Sequence, residues 1–255
     1  MQESRLIPVL TKSGRKLIKT VGFQDRIYIG DPINTVRILN EMMIDEMFII
    51  DIDQNSFVSD IDFEYLAKIS SNCFCPLSYG GGINSLEDSR RILASGYEKI
   101  VLNRALFRNP DLIVSISNEF GNQCVVASVD LKFEKSGEIT IRNDDIGIKS
   151  LSILENWLKS ICEKGVGEVM LTDVGREGSF QGANTELARQ VSSSLGVPII
   201  INGGVQSLAD AGNLLRSGAN AVAASSLFMF EGPSRAVLIS YPTSEELVSE
   251  GFRRL

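Results

Sequence analysis

The residues able to do chemistry in this chain stand at the ends of short apolar runs. Asp51 closes "EMFIID", Asn103 closes "EKIVLN", Asp130 closes "CVVASVD", and Thr172 lies at the end of "EVMLTD". Glycines close two further runs, Gly80-Gly81-Gly82 and, after Asn202, Gly203-Gly204; Ser225-Ser226 ends another. The first run, "RLIPVL", leads into a polar loop whose first residue is Thr11, a poor acid or base at neutral pH. With no histidine in the chain, proton transfer falls to Asp, Glu, Lys, Tyr or Cys. Glycine clusters let backbone N–H groups approach an anion, and a following helix turns its positive end toward it. Each cluster is followed, one unit on, by a polar run end, Asn103 or Ser225-Ser226. This predicts two phosphate cradles and a ligand with a phosphate at each end. The plain alternative, that the glycines only make tight turns, is weakened by the duplication.

Eight strands must position these residues: 5–10, 46–51, 76–80, 98–103, 124–130, 168–173, 198–203 and 220–225. Between them lie amphipathic stretches such as "PINTVRILNEMM", "LEDSRRILASG" and "LADAGNLLRSG", with apolar residues at helical spacing. Alternating strands and helices predict a parallel sheet. Eight units over 255 residues, with no second domain's worth of sequence left, predict an α/β fold, a single (β/α)8 TIM barrel over 1–255. Residues 81–106 align without gaps on 203–228, and at the same offset Asp51 falls on Asp173. The period is near half the chain, so the barrel is expected to consist of two homologous half-barrels.

Composition narrows the function. A net charge of −7 lacks the dense basic surface that a nucleic-acid binder needs. No apolar run approaches the roughly 20 residues of a spanning helix, and the first residues show no charged-then-apolar leader, so neither nucleic acid nor a membrane is an expected partner and the location expected is cytoplasmic. Cys73 and Cys75 form C-x-C, while Cys124 and Cys162 stand alone. All four read as reduced thiols packed as small hydrophobes; no metal and no cofactor is expected.

Several motifs together resemble the cyclase subunit of imidazole glycerol phosphate synthase, the HisF family, over nearly the whole length: "RLIPVL", "GDPIN", "IIDID", "YGGGINSLEDSRRIL", "GEVMLTDVGREGSFQGANTEL", "INGGVQSLADAGNLL" and "AASSLFMF". The resemblance implies a barrel that takes ammonia from a glutaminase partner and uses it on a phosphorylated small molecule with two phosphate ends. By position it implies phosphate contacts at Gly82 and Asn103 for one end, and at Gly178, Gly204, Ser225 and Ser226 for the other, with a loop lysine at Lys19. Of the family's two catalytic aspartates one is Asp130; the other is replaced by Thr11. One acid or base group contributes about 10²–10⁴ in rate, or about 3–5 kcal/mol of barrier lowering, so a fast cyclase is not expected. Glu177, Asn184 and Arg104 depart from the family pattern as well. An active cyclase remains the alternative, with Asp130 helped by Asp51 or Glu177.

The opposite ends of the strands carry Arg5, Glu46, Lys99 and Glu168, two positive and two negative. Any one of them reads as an ordinary surface charge worth ~0–1 kcal/mol. Together they match the family's charged ring, the ammonia gate beneath a docked glutaminase. The retained ring and the missing carboxylate resemble a branch of the family. In that branch the barrel supplies ammonia for amidination of a nucleotide sugar in surface-polysaccharide (LPS/O-antigen) synthesis, with a sugar amidotransferase as a further partner.

Overall fold

The computed structural model describes residues 4–53, 61–142, 147–192, 194–232 and 234–253. Eight parallel strands form the barrel: β1 Arg5–Ser13, β2 Met47–Asp51, β3 Leu77–Gly80, β4 Lys99–Leu102, β5 Val125–Phe133, β6 Glu168–Asp173, β7 Ile199–Asn202 and β8 Ala221–Ala224. Each pairs with the next, and β8 pairs with β1, Arg5 opposite Ala221 and Pro8 opposite Ala224, which closes the sheet. Helices α1 Pro32–Glu41, α2 Phe63–Ser70, α3 Leu86–Ala94, α4 Asp111–Phe120, α5 Leu151–Glu163, α6 Thr185–Ser192 and α7 Leu208–Arg216 follow the first seven strands. After β8 come a short helix, Ser226–Met229, and then α8, Ser244–Ser249.

Strand alternation sorts the apolar residues into two layers. Ile7, Val9, Phe48, Val101, Val126, Met170, Ile200, Ala221 and Ala223 pack with one another inside the barrel. Their neighbours Leu6, Leu10, Met47, Ile49, Leu171 and Val222 belong to the larger core between strands and helices. The same alternation turns Thr11, Asp130, Thr172 and Asn202 inward and the rings of the outer core outward. Tyr79 is fully buried in that outer core, edge-on to Tyr97 with ring centroids 5.8 Å apart. Trp157 stacks on Phe107 at 4.6 Å, a packing role.

The repeat is visible in the backbone. Ser85 and Asp88 form a reciprocal cap at the start of α3, and Ser207 caps α7 through Asp210 N. Gly81 and Gly203 hold left-handed backbone (φ +133° and +99°), and a Cβ would lie 2.6 Å from the Asp51 carbonyl oxygen at the first and 2.5 Å from that of Asp173 at the second. In each half, therefore, a glycine lets the turn lie flat on the neighbouring strand end.

One expectation is corrected. Thr11 is not the first residue of a polar loop: β1 continues through it to Ser13, and Lys16–Val21 then folds back as a hairpin with Gln24–Gly30. Leu17 and Ile18 are buried in this hairpin, Leu17 within the larger core. After β5, Ile139–Ile141 likewise pairs back on Leu131–Phe133, and the part of that loop at 143–146 lies outside the described residues.

Candidate functional site

The C-terminal strand ends and the first hairpin surround a cavity of about 280 Å³. Every residue expected at the mouth borders it: Thr11, Lys19, Asp51, Gly82, Asn103, Asp130, Thr172, Glu177, Gly178, Gly204, Ser225 and Ser226. Their chemistry differs from what their types alone suggest.

Thr11 donates its hydroxyl hydrogen to the Ile18 carbonyl, so this side chain ties down the hairpin. The next residue, Lys12, is buried in an ion pair with Asp51. Lys19 is buried against Glu177 in a second ion pair. Burial pulls the Lys19 pKa down to about 7; the touching carboxylate favours the ammonium, so the pair stays ionic only while this contact is kept. Glu177 also accepts from Thr20 Oγ1 at 3.2 Å and from the Phe23 backbone N–H at 3.4 Å, and its carbonyl accepts from Gly22 N at 2.9 Å. Asp51 and Glu177, the two carboxylates expected to help Asp130 in an active cyclase, are thus each paired with a lysine.

Asp130 is different. It faces the cavity with part of its surface but is ringed by protein, and that burial pushes its carboxyl up to about 6, against the opposing pull of its hydrogen bond from Asn103 and of the nearby Arg142 charge. Asn103 Nδ2 donates to Asp130 Oδ2 and to the Ser128 carbonyl, both at 3.0 Å. A carboxyl near 6 can give or take a proton near neutrality. Unlike Asp51 and Glu177, it is held by an amide, Asn103, rather than paired with a lysine.

The expected cradles have mixed geometry. Gly178 leaves no room for a side chain, since a Cβ would lie 2.4 Å from the Thr20 carbonyl oxygen; at Gly204 it would lie 2.4 Å from that of Gly182. Both glycines therefore have a packing reason to be glycine. Ser226 points the other way: its Oγ is buried and has no hydrogen-bond partner while the residue borders the cavity. A buried hydroxyl left unpaired suits a polar group arriving from outside. Thr172 accepts from Asn202 Nδ2 at 3.2 Å, which fixes both on the inner wall. Among the described residues no group of three or more His, Cys, Asp or Glu is placed to hold a metal ion.

At the other end of the barrel the four charges close a circuit. Arg5 Nη1 lies 2.5 Å from Glu46 and 3.1 Å from Glu168, and Lys99 Nζ lies 2.6 Å from Glu46 and 3.1 Å from Glu168. Burial alone would lower the Arg5 pKa, but the two carboxylates more than offset it and leave it raised. Ser78 Oγ donates to Glu46 at 3.3 Å from inside the barrel. Above this ring the lumen is the apolar layer already described.

Lys12, Thr20, Phe23 and Arg142 border or brace the mouth and were not anticipated. Lys12 lies in the polar end of its strand, between Thr11 and Ser13, and nothing in that stretch marks it as buried. Thr20, Phe23 and Arg142 carry no such mark either, because their places depend on how two short local hairpins fold back over the barrel mouth.

Among the described residues no helix is long and apolar enough to cross a membrane. The histidine biosynthesis protein family matches residues 5–233. The chain is similar to proteins named "Putative imidazole glycerol phosphate synthase subunit". It is 40% identical to hisF2 of Pseudomonas aeruginosa strain PAO1 over 250 residues, 97% of this chain and 99% of that one. It is 38% identical to HisF of Leptospira interrogans over 251 residues, 96% of this chain and 98% of that one. It is 36% identical to hisF3 of Vibrio vulnificus strain YJ016 over 255 residues, 96% of this chain and 95% of that one. Closed barrel, repeated half-barrels and sequence together make this chain a member of the HisF family.

Proposed function

We propose that this barrel is an ammonia-conducting synthase subunit in which ring closure is weakened or lost. It docks a glutaminase on the face that carries Arg5, Glu46, Lys99 and Glu168, and passes ammonia through the lumen to an acceptor at or beyond the mouth. The observation that carries the reading is Thr11: the side chain at the position of the second catalytic aspartate is a neutral hydroxyl spent on the Ile18 carbonyl. The four-charge ring below supports the inlet. Its two positive and two negative charges are paired with one another, so the ring carries no net charge. In the apolar lumen an unpaired ammonium ion would pay a large desolvation penalty, which leaves free ammonia as the species that passes. The acceptor in this reading is a nucleotide sugar, amidinated by a sugar amidotransferase during surface-polysaccharide synthesis.

A second reading, an active cyclase of histidine biosynthesis, is favoured by Asp130, whose carboxyl near 6 suits proton transfer, and by the unpaired Ser226 hydroxyl in the expected phosphate cradle. The purified protein with its cognate glutaminase, glutamine and the family's bisphosphate substrate separates the two. Glutamine hydrolysis without imidazole glycerol phosphate is expected. Sustained formation of that product would refute the first reading.

A further inference from the structure

Away from the mouth, the turn from α2 into β3 carries two thiols that the proposed function does not use. Cys73 and Cys75 are free and half-buried, and their Sγ atoms stand 3.5 Å apart. Phe74 between them is 89% exposed. The turn is held from both sides: the Phe74 backbone N–H donates to Asn40 Oδ1 at 3.1 Å, and Asn40 Nδ2 donates to the Asn72 carbonyl. The two sulfurs are therefore kept facing each other. Cys124 makes a different contact, to the Phe120 carbonyl at 3.4 Å.

The pair is chemically uneven. The hydrogen bond from Cys75 holds the Cys73 thiol below its ordinary pKa, while the same contact and burial push Cys75 up. A thiol with a lowered pKa in contact with a second whose pKa is raised is the arrangement in which the first attacks a disulfide and the second resolves the product.

We propose that Cys73 and Cys75 form a reversible dithiol–disulfide site, oxidised by low-molecular-weight disulfides of the glutathione class. The Cys73 thiolate attacks one sulfur of glutathione disulfide, forming a mixed disulfide and releasing one glutathione thiolate. Cys75 then loses its proton and attacks the Cys73 sulfur, the intramolecular bond forms, and a second glutathione leaves. Two protein thiols are oxidised and one disulfide is reduced to two thiols, so electrons and protons balance.

The test is intact-mass and peptide mapping of the whole chain after equilibration with glutathione disulfide and alkylation of the remaining thiols. Loss of two hydrogen atoms, mapped to the peptide that spans both cysteines and reversed by dithiothreitol, is expected. Cys75→Ser should trap glutathione on Cys73, and Cys73→Ser should leave Cys75 largely unmodified. The proposal is overturned if both thiols stay alkylatable at every glutathione ratio, or if wild-type protein accumulates glutathione adducts without the internal bond.

Discussion

At the scale of single residues, Thr11 and Asp130 carry the account. Thr11 acts as a tether to the Ile18 carbonyl. Thr11→Val should leave that carbonyl unpaired and cost about 1–3 kcal/mol, read as faster amide exchange in the hairpin Lys16–Val21, with Thr11→Ser close to wild type. Thr11→Asp would set a carboxylate against a carbonyl oxygen beside lysines already committed to Asp51 and Glu177. It should bring no more than a few-fold gain in cyclase rate; a gain of about 10² or more would show the rest of the site to be intact. For Asp130, a carboxyl raised to about 6 from an ordinary 3.8 means that the folded state holds its proton more tightly than the unfolded chain. Its contribution to stability is complete below about pH 4 and is lost as the pH rises through about 6, at most about 3 kcal/mol. Urea unfolding of Asp130→Asn should accordingly show a variant more stable than wild type at neutral pH, with the advantage vanishing near pH 4.

At the scale of elements, the half-barrel repeat predicts matched behaviour at matched positions. Gly81→Ala and Gly203→Ala each force a Cβ onto a backbone oxygen of the preceding strand end in left-handed backbone. Each should lose about 1–3 kcal/mol, and the two losses should be alike. At the strand starts, Glu46 serves Arg5, Lys99 and Ser78 together and is 2% exposed. Glu46→Gln should lose about 2–4 kcal/mol, more than Lys99→Met, by the same urea measurement. The glycines were legible in the sequence because each cluster is a local motif that recurs in the second half, whereas the four ring charges, scattered along the chain, were legible only through the family resemblance. The hairpin after β1 was not, since Leu17 and Ile18 are too few to mark a period and the pairing with Gln24–Gly30 passes through register shifts. The Lys12–Asp51 and Lys19–Glu177 pairs were hidden for a related reason: their partners meet only once strands far apart in the chain stand side by side. The strands themselves read clearly, as β-rich apolar runs divided by helical patterns.

For the whole molecule, the proposed passage of ammonia would use the four-charge ring at one end, the apolar inner layer and the mouth at the other. In the proposed reading the mouth lacks one of the two carboxylates that ring closure would use, because Thr11 stands in its place. The measurement that tests this most directly bypasses any partner: the initial rate of imidazole glycerol phosphate formation from the bisphosphate substrate and saturating free ammonia. A rate lower by about 10²–10⁴ than that of a family member with both aspartates is expected. A rate within about tenfold of it would contradict the claim that Thr11 ended ring-closing catalysis here.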